Sequence, residues 1–320
     1  MVSSVTNDKT LPVIADYRLT EPWQNTNSGN ARWSFAKKDG KQFFIKAFLS
    51  PSCPITKALS PEVIAMKKAI CYDFYRKKRE LYDKINMSAN GNIVTIDDFF
   101  LFGTKYYITT EKIDIKKTET ETIAKAPIEK KLLLLKIIAD SLARLHENGV
   151  VHADLKPDNI LIKKSGTGSF VAKIIDFDSS FLVGNQPDHE EIQGDMPYLA
   201  PETCRYIFGE DIILTQKADV FAAGLLFHQY FTGELPLYPS AYDAAYEALL
   251  DGKTLRLSES LPSSLSDLIK SMLEKDPNNR PDMKSVLSSL LLMDGKKEEP
   301  QRFQQKDTGT KSLWYRPTGF

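Results

Sequence analysis

The chain has 320 residues, enough for one large domain or two lobes with a sizeable core. Its 42 basic and 42 acidic residues balance, which argues against a global nucleic-acid-binding field and against an acidic, disordered chain. The three cysteines, Cys53, Cys71 and Cys204, fit neither a metal knuckle nor a disulfide framework, and no apolar run is long enough to span a bilayer. They read as reduced, buried small hydrophobes of a cytoplasmic protein.

In chain order, Met1 to about Thr10 reads as a loose terminus without the apolar core of a signal peptide. From Tyr17 the pattern is strand, turn, strand. Trp33–Ala36 leads into the turn signal Lys37-Lys38-Asp39-Gly40, and Gln42–Phe48 returns as an aromatic and β-branched strand ending near Lys46. Taken alone, Ser28-Gly29-Asn30 is a plain turn and Lys46 an exposed strand lysine. Ser60-Pro61-Glu62 supplies an N-cap, a proline at the first helical position and an early acid, and predicts a long helix to about Met87 with Ile70, Phe74, Leu81 and Ile85 facing inward.

Asn92–Ile96 and Tyr106–Thr110 read as two further strands around a loop at Gly103. Lys116 to Ala126 is polar and rich in Thr and Glu, a linker or solvated loop. Pro127 opens a helix with Leu132, Leu135, Ile138, Leu142 and Leu145 on one face, and Gly149 ends it. The tail from about Gly295, with Trp314 and Tyr315 near its end, is either solvated or docks on the domain or on a regulatory partner protein.

The rest of the chain is organised around His152-Ala153-Asp154-Leu155-Lys156-Pro157-Asp158-Asn159, followed by Lys173-Ile174-Ile175-Asp176-Phe177-Asp178. An Asp, a Lys two residues on and an Asn three beyond fit one tight loop between short strands, and the next strand carries a second Asp opposite it. That grouping suits phosphoryl transfer. One carboxylate takes the proton of an attacking hydroxyl, the Lys neutralises phosphoryl charge, and the Asn and second Asp hold Mg²⁺.

These stretches resemble the protein-kinase motifs H-R-D-L-K-P-x-N and D-F-G. Further matches follow in order. Phe43-Phe44-Ile45-Lys46 resembles V-A-I-K. Gly194-Asp195-Met196-Pro197-Tyr198-Leu199 resembles G-T-P-x-Y-x, with Asp195 replacing the Thr that braces the catalytic Asp and Lys. Ala200-Pro201-Glu202 resembles A-P-E, Asp219–Gly224 resembles D-x-W-x-x-G, and Asp276–Pro281 resembles the closing motif whose Arg pairs with the Glu of A-P-E. The resemblance spans about residues 15 to 292. It implies an α+β, bilobal protein-kinase-like fold: a loose terminus (1–14), a small β-rich N-lobe with one main helix (15–113), a larger helical C-lobe (114–292) and a polar tail (293–320).

By that resemblance Asp154 and Lys156 are catalytic, Asn159 and Asp176 hold Mg²⁺, and Lys46 holds the ATP phosphates. Gly29, the only glycine of a glycine-poor phosphate loop, covers those phosphates. Glu111 and Ile113, after Thr110, offer backbone bonds to adenine. Lys156 matches Ser/Thr kinases rather than tyrosine kinases, and eukaryotic-like bacterial kinases are among those it resembles. The implied reaction is ATP- and Mg²⁺-dependent transfer to protein hydroxyls, with a protein substrate and neither nucleic acid nor membrane as partner. Phe44, Asp178 and the missing glycines keep a nucleotide-binding pseudokinase scaffold as an alternative, and a small-molecule phosphotransferase as a third. The acid expected to pair with Lys46 falls at Lys77 or Lys78, with Asp73 and Glu80 the nearest acids and Glu80 the better candidate. Ala153 stands where many kinases carry the Arg that receives an activation-loop phosphate. Ser179, Ser180 and Tyr198 are the only hydroxyl residues between Asp178 and Glu202, so activity is expected without phosphorylation there.

Overall fold

In the computed structural model, which describes residues 11–25, 31–55, 59–113, 118–166, 168–192 and 194–293, the chain divides into two compact units. The smaller holds the described residues up to Tyr82 together with 95–113. The larger holds 83–94 and those from 118 onward.

The smaller unit is a six-stranded antiparallel sheet, β1 (Val13–Ile14), β2 (Tyr17–Leu19), β3 (Ala31–Lys38), β4 (Lys41–Phe48), β5 (Ile96–Phe102) and β6 (Lys105–Glu111), in the order β1-β2-β3-β4-β6-β5. Asp39 and Gly40, both at positive φ, close the β3–β4 hairpin where the turn signal predicts it. Strand alternation gives the sheet two packed faces. Ile45 and Ala47 join Tyr17, Leu19, Ala36 and Tyr107 on one. On the other, Phe48 meets Phe74 of helix α1 (Pro61–Met87) at 5.3 Å, and Phe74 meets Tyr106 at 5.2 Å.

Helix α1 has the predicted ends, and Ser60 Oγ accepts from the Val63 amide at its start. Its buried stripe runs Cys71, Leu81, Tyr82 and Ile85, with Phe74 half-buried between them. Ile70, expected inward, is 52% exposed. It lies one residue, about 100° of helix rotation, from Cys71, which takes the inward place. Strand β5 also corrects the sequence reading. It starts at Ile96 rather than Asn92, and Ile93 forms an isolated bridge with Ile174 instead.

The larger unit is built on α3 (Ile128–Glu147) and α5 (Lys217–Thr232), with α4 (Pro201–Ile207), α6 (Ala245–Leu250), α7 (Ser263–Met272) and α8 (Met283–Met293). All five apolar positions predicted for α3 are buried. Thr120–Ala124, expected as linker, forms a short helix α2. Ile123 buries completely, and Lys131 Nζ donates to the Ala124 and Phe231 carbonyls at the ends of α2 and α5, at 3.0 and 2.9 Å. At Gly224 of α5 an added Cβ would lie 3.1 Å from Met272 Cβ and 3.0 Å from Leu273 Cδ2, so a larger residue would push the end of α7 away by a few tenths of an ångström. Two small antiparallel pairs frame the central loop: β7 (Val150–Val151) with β10 (Phe181–Leu182), and β8 (Ile160–Lys164) with β9 (Phe170–Ile174).

Candidate active site

The loop between β7 and β8 hangs from one buried carboxylate. Asp219, near the start of α5, accepts from the His152 and Ala153 amides at 2.8 and 2.9 Å and contacts His146 Nε2 at 3.0 Å. Burial pushes the Asp219 carboxyl up, but the His146 hydrogen bond, the nearby imidazoles and the His152 amide outweigh it and hold the pKa below the ordinary aspartate value. The two amide bonds hold Ala153 at φ 65°, a left-handed conformation that costs an L-residue about 1–2 kcal/mol. Sequence reading noticed Asp219 only as a helix start. Its hold on the loop depends on a fold that brings it to residues 67 and 66 positions away.

His152 is fully buried. Its Nε2 contacts the Ile175 carbonyl at 3.1 Å, its ring lies 5.0 Å from that of Phe177, and its carbonyl accepts from Ser180 Oγ at 2.9 Å. The Ile175 amide donates to the Asn159 carbonyl at 2.9 Å. These bonds tie the segment carrying Asp176 to the loop carrying Asp154, so the two motifs meet as the sequence suggested. Asp176 itself has φ 61°.

Within the loop, Asn159 Nδ2 donates to the Asp154 carbonyl and to its Oδ2, both at 2.8 Å. Lys156 Nζ lies 3.0 Å from the same Oδ2. Among the described residues, Asp154 Oδ1 is left without a partner, and so is the Asn159 side-chain oxygen. One carboxylate oxygen is thus anchored while the other can accept a proton, and the Asn presents an acceptor rather than its amide hydrogens. The Asn159 oxygen, with the Asp176 carboxylate on the segment tied to this loop, would suit Mg²⁺, which takes one or two carboxylates from a protein and completes its shell with phosphates and water.

Asp195 replaces the expected Thr, yet it still reaches Lys156, with Oδ2 3.8 Å from Nζ. Partial burial pulls the Lys156 ammonium down, while Asp154, then Asp195 and Asp176, more than reverse this and raise its pKa above the ordinary lysine value. Further along, Glu202 and Arg280 form the anticipated buried pair, bidentate at 2.6 and 2.8 Å. Arg280 also donates to the Glu274, Lys217 and Lys275 carbonyls, so its donors are satisfied.

The segment between Asp178 and Glu202 is fastened by side chains that sequence reading missed. Gln186 donates to the Ile212 carbonyl at 2.7 Å and accepts from the Leu214 amide at 2.8 Å. His189 stacks on Tyr206 at 4.0 Å. A glutamine in a polar loop carries no pattern that announces such a bridge.

In the smaller unit, Lys46 is buried at 4% exposure, on the α1 face of the sheet like Phe48 two residues on. Phe44 shares that face and stacks on Trp33 at 5.5 Å, while Thr110 lies directly across from Phe44 in the ladder. Glu111 ends β6, and Glu111 and Ile113 are both half-buried. Gly29, with Asn27, Ser28 and Asn30, lies outside the described residues, as do Trp314 and Tyr315 of the tail. On α1, Asp73 pairs with Arg76 and Lys77, each at 2.9 Å, and Glu80 is exposed, so neither acid sits on the helix's buried stripe.

The family model described as "Protein kinase domain" matches residues 55–292. Serine/threonine-protein kinase PrkC of Bacillus subtilis is 24% identical over 295 residues, covering 89% of this chain and 44% of that protein. Serine/threonine-protein kinase PkaA of Streptomyces coelicolor is 28% identical, covering 87% and 50%. Calcium-dependent protein kinase 19 of rice (Oryza sativa subsp. japonica) is 25% identical, covering 89% and 54%. The chain therefore spans about half the length of these curated relatives. A match of this extent means that the chain belongs to the protein kinase family.

Proposed function

We propose that the protein is a Ser/Thr protein kinase that transfers the γ-phosphoryl group of ATP to protein hydroxyls. The observation that carries this reading is the divided Asp154 carboxylate, with Oδ2 held by Asn159 and Lys156 and Oδ1 left to accept the proton of the acceptor hydroxyl. Lys156 neutralises charge on the transferring group. Asn159 and Asp176 are the residues that would hold Mg²⁺, which when bound neutralises charge on the phosphates. Lys46 takes the nucleotide phosphates, with Gly29 over them and Glu111 and Ile113 presenting backbone to the base. The three free thiols fit a reducing, cytoplasmic setting, and the polar C-terminal tail offers a place for a regulatory partner to dock.

One observation favours a second reading, a nucleotide-binding scaffold without transfer. Phe44, stacked on Trp33 at 5.5 Å, puts a bulky ring on the Lys46 face of the sheet, where the resemblance expects a small residue over the base.

The discriminating experiment incubates the full chain with labelled ATP and Mg²⁺, offering a generic basic protein beside a panel of small hydroxyl compounds. Label in the protein supports the kinase reading. Label only in a small compound replaces it with a small-molecule phosphotransferase. No label, with ATP still raising the melting temperature, replaces it with the scaffold. Activation-segment phosphorylation is not needed in this account. Ser180 is buried on the His152 carbonyl, and the Tyr198 hydroxyl donates to Gln229 at 2.8 Å. Phosphatase treatment should leave activity unchanged, and loss of activity with a phosphosite mapped to that segment would refute this.

A further inference from the structure

A cleft opens beside the Asp154 carboxylate, with Tyr198, Leu199, Thr203 and Ala222 in its wall and Asp195 on its lining. The wall is held in shape. The Tyr198 amide donates to the Asp195 carbonyl at 2.9 Å, and the Leu199 side chain packs directly against Gly194, the residue before Asp195. The Asp195 backbone is thereby fixed while its side chain remains 40% exposed. The cleft thus carries two carboxylates, Asp154 and Asp195, on a single ammonium, Lys156, which is closer to Asp154 (3.0 Å) than to Asp195 (3.8 Å). Asp219, also on the lining, has its charge answered by two amides and His146. Asp195 is the carboxylate whose charge is least compensated.

The chain around it adds nothing positive. Between Lys173 and Arg205 there is no lysine or arginine, whereas Asp176, Asp178, Asp188, Glu190, Glu191 and Asp195 all fall in that stretch.

Resting on the protein-kinase reading, we propose that Asp195 is a specificity residue that selects hydroxyl acceptors flanked by lysine or arginine. A cation beside the acceptor hydroxyl pairs with Asp195 and relieves the competition for Lys156, which is then free for the phosphoryl group. An acidic neighbour is repelled by the weakly compensated Asp195 carboxylate and leaves Lys156 shared. No bond is made or broken in this exchange. One ion pair is traded for another at the moment the acceptor docks, so a basic flank helps turnover as well as binding.

The test uses the full chain and three peptides that differ only at the residues on either side of one serine, being arginine, alanine or glutamate. For the wild type, kcat/KM should fall in that order, with arginine over glutamate by about fivefold, the upper end for one part-exposed ion pair. Asp195→Asn should bring the three peptides to within about twofold of one another, and Asp195→Lys should invert the order. The wild-type preference should also shrink between 0.05 and 0.5 M salt while the alanine peptide changes little, a readout that requires no variant to fold. A wild type that phosphorylates all three peptides equally, or an Asp195→Asn variant that keeps the arginine preference, overturns the proposal and leaves the kinase reading intact. Failure to phosphorylate any peptide or basic protein overturns the kinase reading, and this proposal with it.

Discussion

The loop carrying Asp154 and the helix α1 are both rich in charge, yet they use it in opposite ways. In the loop, charged groups meet fixed partners: Asp219 is 1% exposed and accepts two backbone amides, while the Asp154 carboxylate is held by Asn159 and Lys156. On α1, Asp73 pairs with Arg76 and Lys77 on a face where all three side chains are about half-exposed. Charge fixes geometry where it is desolvated and bonded to backbone, and adds little where water screens it. The same contrast separates the buried Glu202–Arg280 pair from the surface pairs of the helix.

Substitutions should rank accordingly. Arg280→Ala leaves Glu202 charged and buried without its partner, and should cost about 3–5 kcal/mol, lowering Tm by roughly 10 °C in a thermal melt. A drop of a degree or two would place that pair with the surface pairs. Asp219→Asn comes next. The amide cannot accept from both loop amides as a carboxylate does, so about 2–3 kcal/mol of stability should be lost, together with most activity.

The pH dependence has a definite sign. A carboxyl with a depressed native pKa stabilises the fold above its unfolded value, and that contribution disappears as pH falls through the native one. Wild-type stability should therefore fall off below about pH 4 by more than that of Asp219→Asn, measured by denaturant melts across pH. Parallel curves would remove Asp219 from its supporting role. Asp73→Ala should have the smallest effect, with Tm and activity both unchanged. A marked loss there would mean that the α1 surface charges do more than the exposed geometry suggests.

Legibility followed the same division. Asp154, Lys156, Asn159 and Asp176 could be read because their spacing along the chain is itself the motif, and the α3 core because five apolar residues repeat at helical spacing. The Glu202–Arg280 pair was legible by resemblance. Asp219's hold on the loop, the Gln186 bridge and the Lys131 staple were not, since each joins a single polar residue to backbone far away in sequence. On α1 the apolar spacing pointed to Ile70, one residue from Cys71, the residue that the structure turns inward, with Phe74 against Tyr106 at 5.2 Å and the Tyr106 hydroxyl donating to the Cys71 carbonyl. Helix α2 has one buried apolar residue, Ile123, too few to show a period. The β5 start was misread because Asn92–Ile96 is as apolar as the true strand, which begins with Asp97 and Asp98 after Ile96.

The divided Asp154 carboxylate is best tested by measuring labelled γ-phosphate transfer from ATP with Mg²⁺ to a basic protein, for the wild type beside Asp154→Asn, with Tm recorded for both. An amide cannot accept the proton, so the variant should lose roughly 10²-fold or more in kcat while Tm stays within a few degrees of wild type. Equal transfer by the two proteins would show that Asp154 is not the base and that phosphoryl transfer is organised around some other group.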